Sequence, residues 1–179
     1  MEGADVRWRQ PTEACPAAQG RGSGEARRVS VEPAAPNGLQ LVLHHAGGLR
    51  LRWGPGQLAQ LQALLTQHSF WAQGRSRHQL RRMLAGSQAV VSAWRGQRLV
   101  GFGRASSDGA FRAVLWDVVV AADQQRQGVG LRLVRTLLEA PALRGVERVY
   151  LMTTNGSGFY QQLGFELVSN QHLMIKTSG

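Results

Sequence analysis

The pattern of apolar and polar positions changes character near residue 39. Before it, Gly, Ala and Pro dominate without a hydrophobic period, and residues 16–24 and the Pro33-Ala-Ala-Pro36 stretch read as a flexible leader. Beyond it, short apolar runs at 39–44 and 49–53 flank Gly47-Gly48 and predict two strands around a turn. Pro55 then opens a helix that places Leu58, Leu61, Leu64 and Leu65 on one face. Ser76 fits the N-cap of a second helix, which turns Leu80, Met83 and Leu84 inward and stops at Gly86. Runs at 89–94, 99–106 and 111–121 follow. Arg95-Gly96-Gln97 and Ser107-Asp108-Gly109 join them as hairpin turns, so the three form an antiparallel meander.

The segment 115–120 is almost continuously apolar, as expected of a strand buried on both faces. An amphipathic helix over 128–140 follows a loop, with Gly130, Leu133, Val134, Leu137 and Leu138 on one face and Pro141 as its stop. A strand at 147–153, a short helix at 158–163 ending on Gly164, and strands at 165–168 and 173–176 complete the chain. The order predicts an α/β (α+β mixed) domain over 39–179 and a disordered leader over 1–38.

Composition narrows the classes. The chain has 179 residues, 43% hydrophobic, enough for one domain with a real core. No apolar run approaches the roughly 18 residues of a spanning helix. A single cysteine, Cys15, excludes an internal disulfide or a multi-cysteine zinc site and suits a reducing, cytoplasmic compartment. The leader lacks the apolar centre of a signal peptide, and Glu2, Asp5, Glu13 and Glu25 argue against a transit peptide. Net charge is +10, all of it in residues 39–179, which hold 16 basic and six acidic side chains. Such a domain attracts anions: nucleic acid, a membrane surface or a phosphorylated cofactor. The arginines are spread over many elements with no aromatic-basic recognition motif, which argues against nucleic acid. His44, His45, His68, His78 and His172 show no metal-ligand spacing.

The chemistry concentrates where the apolar strand runs through Asp123 and Arg126 into a helix opened by two glycines, Gly128 and Gly130. Helix N-termini offer unpaired N–H groups and partial positive charge, and glycine lets a bulky anion approach the backbone. The amides of Arg126, Gln127, Gly128, Val129, Gly130 and Leu131 are therefore candidates to wrap a pyrophosphate. The alternative is a plain strand-loop-helix with glycines for packing. No Gly-Lys-Ser/Thr follows, so this is not a P-loop, and the three-glycine dinucleotide fingerprint is absent.

The run Gln125-Arg-Gln-Gly128-Val-Gly130 resembles the Gln/Arg-x-x-Gly-x-Gly/Ala motif of the GNAT superfamily of acyl-CoA-dependent N-acetyltransferases. Downstream, Asn155-Gly-Ser-Gly-Phe-Tyr160-Gln-Gln-Leu-Gly164-Phe165 is similar to that family's Asn…Tyr-x-x-Leu-Gly-Phe signature. The stretches beginning at Val100 and Leu115 resemble the plastid and cyanobacterial branch that includes serotonin N-acetyltransferase. The resemblance implies a central, mostly antiparallel sheet of about six or seven strands, splayed at the acyl-CoA site, with about four flanking helices. It implies acetyl-CoA as cosubstrate, with Val118, Val119 and Val120 pairing with the pantetheine amides and Asn155 contacting that arm. It also implies Tyr160 beside the thioester sulfur as general acid, and a homodimer through edge strands. CoA carries about four negative charges, a demand the basic domain meets.

Direct transfer to an amine needs proximity, an acid and a base, and no covalent enzyme intermediate. Cys15, in the leader with no base nearby in sequence, is a poor nucleophile. Tyr160 reads as the acid or as an ordinary core aromatic. Asp117 is the odd residue in its strand, expected by period two on the face of Leu115 and Val119. It reads either as a base whose pKa burial raises or as a carboxylate held by arginine. Phe70 and Trp71, between the first two helices, are the candidates to line an acceptor site. The expected reaction is acetyl transfer to a primary amine: an arylalkylamine such as serotonin or, alternatively, a protein lysine or N-terminus. A closed aromatic pocket favours the former and an acidic or open groove the latter. A nucleic-acid-binding module and a non-catalytic acyl-CoA sensor are the readings of another class.

Overall fold

The computed structural model describes residues 30–31, 38–45 and 53–177. Six strands hydrogen-bond side by side in chain order. They are β1 (Ser30–Val31), β2 (Leu39–His45), β3 (Ala89–Arg95), β4 (Arg98–Ser107), β5 (Arg112–Val120) and β6 (Arg148–Tyr150). Every pair is antiparallel except β5–β6, which is parallel. The β3–β4–β5 meander is the one the turns predicted, with Gly96 at φ +55° in the first hairpin, a left-handed position that suits glycine. The parallel β6 requires a crossover, supplied by helix α3 (Val129–Leu138).

Period two assigns the faces of β4. Gly101 and Gly103 point at α3, where a Cβ on Gly103 would stand 2.5 Å from Leu133 Cδ2 and 3.0 Å from Leu137 Cδ1. Glycine there lets the helix lie close on the sheet. Val100 and Phe102 point to the opposite face, and Trp53 packs edge-on against Phe102 at 6.0 Å between centroids. Helix α1 (Pro55–His68) buries Leu58, Leu61, Leu64 and Leu65, as its leucine spacing predicted; each contributes about 2 kcal/mol. Helix α2 (Arg77–Ala85) starts at Ser76 with a reciprocal cap: Ser76 Oγ accepts from the Gln79 amide, and Gln79 Oε1 accepts from the Ser76 amide. The short helix α4 is Ser157–Gln161.

Several expectations change. Two residues of the expected leader, Ser30 and Val31, pair with Leu43 and Val42; the rest of 1–37, and the strand expected at 49–53 except for Trp53, which is not in a strand, lie outside the described residues. The strand expected over 147–153 shortens to Arg148–Tyr150. The strands expected at 165–168 and 173–176 do not form, and Leu167, Val168, Leu173, Met174 and Ile175 are exposed. An apolar run of four residues becomes a strand only against a ladder to pair with, and β6 offers three residues. The strand expected to be buried on both faces is open on one: Leu115 and Val119 are buried, but Trp116, Val118 and Val120 only partly.

Candidate functional site

β5 is paired unequally along its two edges. β4 accompanies it to Val120, whereas β6 pairs only with Arg112, Ala113 and Val114. Over 115–120 no strand pairs with the second edge among the described residues. The separation thus begins after Val114. Beyond the strand, the Ala121 amide donates to Val100 O at 2.9 Å, which turns residue 121 toward β4. Alternation aims the backbone of Val118 and Val120 the other way, into the gap, while Val119 faces β4. Gln125 Nε2 reaches Val120 O on that outer side at 3.2 Å.

The following loop is built on backbone and held by tethers from the β3–β4 hairpin. Arg98 grips Asp123 with two bonds of 2.7 and 2.8 Å, and its guanidinium holds that carboxyl well below the usual range. Arg95 donates to Gln124 Oε1 and, at 2.9 Å, to Gln127 Oε1; Gln127 Nε2 donates to Asp123 O at 2.9 Å. Gln127 thereby spends its side chain on bracing the loop and offers the site its amide alone. Arg126 (φ +60°) and Gly128 (φ +76°) both sit in the left-handed region, alternating with ordinary residues. That alternation curls successive N–H groups toward one concave side. α3 begins at Val129 with no capping side chain and no acid in its first turn, and its first helical bond is Arg132 N to Gly128 O at 3.1 Å. The amides of Val129, Gly130 and Leu131 precede that bond, so the loop and helix start make a cradle of unpaired amides whose chemistry suits an anion.

Gly130 marks where three elements meet. A Cβ there would contact Phe159 of α4 at 3.5 Å and Val120 Cγ2 at 3.7 Å. Next to Phe159, Tyr160 is half-buried, with edge-on ring contacts to Phe159 (4.9 Å) and Phe165 (5.8 Å). Burial pushes its phenol above the ordinary value. The hydroxyl has no hydrogen-bond partner among the described residues, which leaves its proton to donate. Asn155 lies exposed in the turn before α4, one residue ahead of the Gly156 N-cap. No hydrogen bond holds its side-chain amide among the described residues.

Asp117 departs from the expected strand period and takes the second of its two expected environments. Its φ of +50° creates a bulge, where the β4–β5 register slips between Phe102 and Arg104. The slip breaks period two: Trp116 and Asp117 both engage Arg104, Trp116 through ring stacking at 5.7 Å and Asp117 through a 2.7 Å bond to Nε. The carboxylate is 4% exposed and shared, with Arg75 Nη1 at 3.0 Å and Trp71 Nε1 at 3.3 Å on its other oxygen. Burial pushes its pKa up, but the hydrogen bonds and charges of Arg104 and Arg75 outweigh that and hold it below the ordinary value. The arrangement matches the reading of a carboxylate held by arginine and not that of a base whose pKa burial raises. A carboxylate kept ionised between two guanidiniums is a poor proton acceptor. Sequence spacing gave no sign of Arg75 or Arg104; the one signal was an acid inside an apolar strand, which demands a cation.

Trp71 Nε1 ties the loop between α1 and α2 to this bulge. Phe70 (69% exposed) and Trp71 (48%) stack edge-to-face at 5.0 Å and form an open aromatic shelf, not a closed pocket. A cavity of about 130 Å³ lies elsewhere, lined by Gln60, Leu64, His68, Arg98, Leu99 and Ala121 among others, with no aromatic wall. Among the described residues no group of three metal-ligating side chains occurs, and no helix is long and apolar enough to cross a membrane.

A strand with one open edge, an anion cradle and, through Phe159, the helix that carries a half-buried phenol suit a long phosphorylated thioester. The family model "Acetyltransferase (GNAT) family" matches residues 47–165. The chain belongs to the GNAT acetyltransferase family. GNAT acetyltransferases use acetyl-CoA. The GNAT domain is 42% identical over 71 residues to GCN5-related N-acetyltransferase 2, chloroplastic, of Arabidopsis thaliana, covering 39% of this chain and 28% of that protein. It is 37% identical over 99 residues to serotonin N-acetyltransferase 2, chloroplastic, of Oryza sativa subsp. japonica, covering 52% and 49%. These matches thus span half or less of the relatives' own lengths. A solved GNAT-family acetyltransferase of Streptococcus pneumoniae TIGR4 superposes with TM-score 0.61 at 24% identity, covering 78% of this chain and 98% of that one, which shows the fold.

Proposed function

We propose that the protein transfers the acetyl group of acetyl-CoA directly to a primary amine, and that the amine belongs to a peptide or protein. The observation that carries the transfer is the meeting of the open β5 edge, the cradle and α4 around Gly130, where Phe159 makes the contact and carries Tyr160 beside it. When bound, acetyl-CoA supplies a thioester whose carbonyl the amine attacks, forming the C–N bond, breaking the C–S bond to expel the thiolate, and giving up the amine's proton to solvent water. The backbone of Val118 and Val120 offers amide pairing to the pantetheine arm. The amides of residues 126–131 hold the diphosphate, where bare glycine and a positive helix end favour anions. Tyr160 gives its proton to the departing sulfur, and its raised pKa keeps that proton in place at neutral pH. Asp117 holds the Trp71 shelf against the bulge and does not remove the amine's proton.

The open shelf of Phe70 and Trp71 supports a peptide-borne acceptor. A second reading, an arylalkylamine such as serotonin, draws support from the rice relative's name. The names of both plant relatives also support a plastid location in place of the cytoplasm expected from composition. An acceptor screen separates the readings: serotonin, tryptamine, polyamines and peptides are offered with acetyl-CoA and free thiol is followed. Turnover with peptides is expected. Turnover confined to serotonin and tryptamine overturns the peptide reading, and no thiol release with any acceptor overturns the enzyme.

A further inference from the structure

The acids of the domain are distributed one-sidedly. No Asp or Glu occurs between residues 33 and 107, so all six acids of the domain lie after that point. Part of the early arginine charge is neutralised from the later half: Arg75 and Arg104 by Asp117, Arg98 by Asp123. The outer face of α2 is left over. Arg77, His78, Arg81 and Arg82 are all exposed, while Leu80 and Leu84 face the core. Among the described residues none of the three arginines has an acidic partner; Arg77 Nε meets the neutral Gln62 Oε1 at 3.3 Å.

This arrangement works against the helix. Arg77 is the first helical residue, where the dipole favours acids, and the first turn holds none. Arg77 and Arg81, four residues apart, repel each other. A cationic face kept at such local cost fits a use outside the chain. Its place in the fold names that use. α2 follows directly on the Phe70–Trp71 shelf, and Arg75, just before it, bonds both Asp117 and Met83 Sδ of α2. The face therefore borders the candidate acceptor entry, while the anion cradle is built from the residues that follow β5.

We propose that α2 docks an acidic peptide segment flanking the acceptor amine. This rests on the peptide-borne acceptor proposed above and narrows it: carboxylates beside the amine are attracted, and lysine in a basic tail is repelled. The face is a short, single helix turn-and-a-half of charge with exposed aromatics beside it, which suits a peptide laid across the shelf.

The test uses the full chain, acetyl-CoA and three peptides with the same acceptor lysine, flanked by Glu, by Gln or by Arg. The Glu peptide is expected to show about tenfold higher kcat/KM than the Gln peptide, through KM, and to lose that advantage in high salt. The Arg peptide is expected to be the poorest. In the triple variant R77E/R81E/R82E the Glu/Gln ratio is expected to fall to one or below. R77K/R81K/R82K restores it, and CoA titration heat and thermal melting verify the fold of both. Equal turnover of all three peptides overturns the docking proposal and leaves the peptide reading standing. Turnover of tryptamine but of no peptide overturns both. Competition by a single-stranded RNA that depends on the α2 arginines, with no peptide charge preference, assigns the face to nucleic acid and overturns it as well.

Discussion

Two stretches of β5 and its continuation show opposite ways of building a site. At Asp117 the structure relies on side chains: a carboxylate 4% exposed, two arginines and an indole N–H. At residues 126–131 it relies on backbone: two left-handed residues and a helix start with no capping side chain. The first is tuned by charge and burial, the second by φ and the absence of Cβ. Substitutions should therefore act by different routes in the two places. At Asp117 they should unsettle stability, and in the cradle they should alter ligand binding while the fold persists.

The largest effect is expected at the bulge. Asp117→Ala leaves the Arg104 guanidinium part-buried without its partner and is expected to cost about 3 kcal/mol in a urea melt. Asp117→Asn, which tolerates φ +50° but lacks the charge, should cost less. Equal stability in both variants and wild type would break the side-chain half of the comparison. Tyr160→Phe is expected next, with kcat lowered about 100-fold, CoA affinity unchanged and melting little altered. Gly128→Val follows: a β-branched residue at φ +76° costs about 2 kcal/mol of strain, expected mainly as weakened CoA binding, whereas Gly128→Asn stays near wild type. The smallest effect is expected for Arg98→Ala, which frees the exposed Asp123 tether and should weaken CoA binding by a small factor without changing the melt.

The pH dependence sharpens the same contrast. The folded pKa of Asp117 is depressed, so its contribution to stability is present above the ordinary aspartate value of about 4. It is lost as pH falls through the lower folded value. Melts from pH 7 to 5 should coincide, and those below about 4 should drop, less so in Asp117→Asn.

The sequence made the backbone-built site far more readable than the side-chain-built one. Gly128 and Gly130 behind an apolar strand carry their geometric meaning locally, as do Ser76 with Gln79 at the α2 cap and Gly96 in its hairpin. Asp117 does not. Its bulge breaks the two-residue period by which its face was read, and Trp71 and Arg75 lie 46 and 42 positions away. The gap beside β5 is a further non-local property, because where β6 leaves it depends on the crossover and not on either strand's composition. The unformed strands at 165–168 and 173–176 teach the converse: apolar residues there had the pattern but no ladder within reach.

Calorimetric titration of CoA into the wild-type chain and into Gly128→Val bears most directly on the cradle. The account predicts saturable heat for the wild type, sharply reduced for Gly128→Val while the variant still melts cooperatively. Absence of heat from the wild type, or undiminished binding by the folded variant, would contradict it.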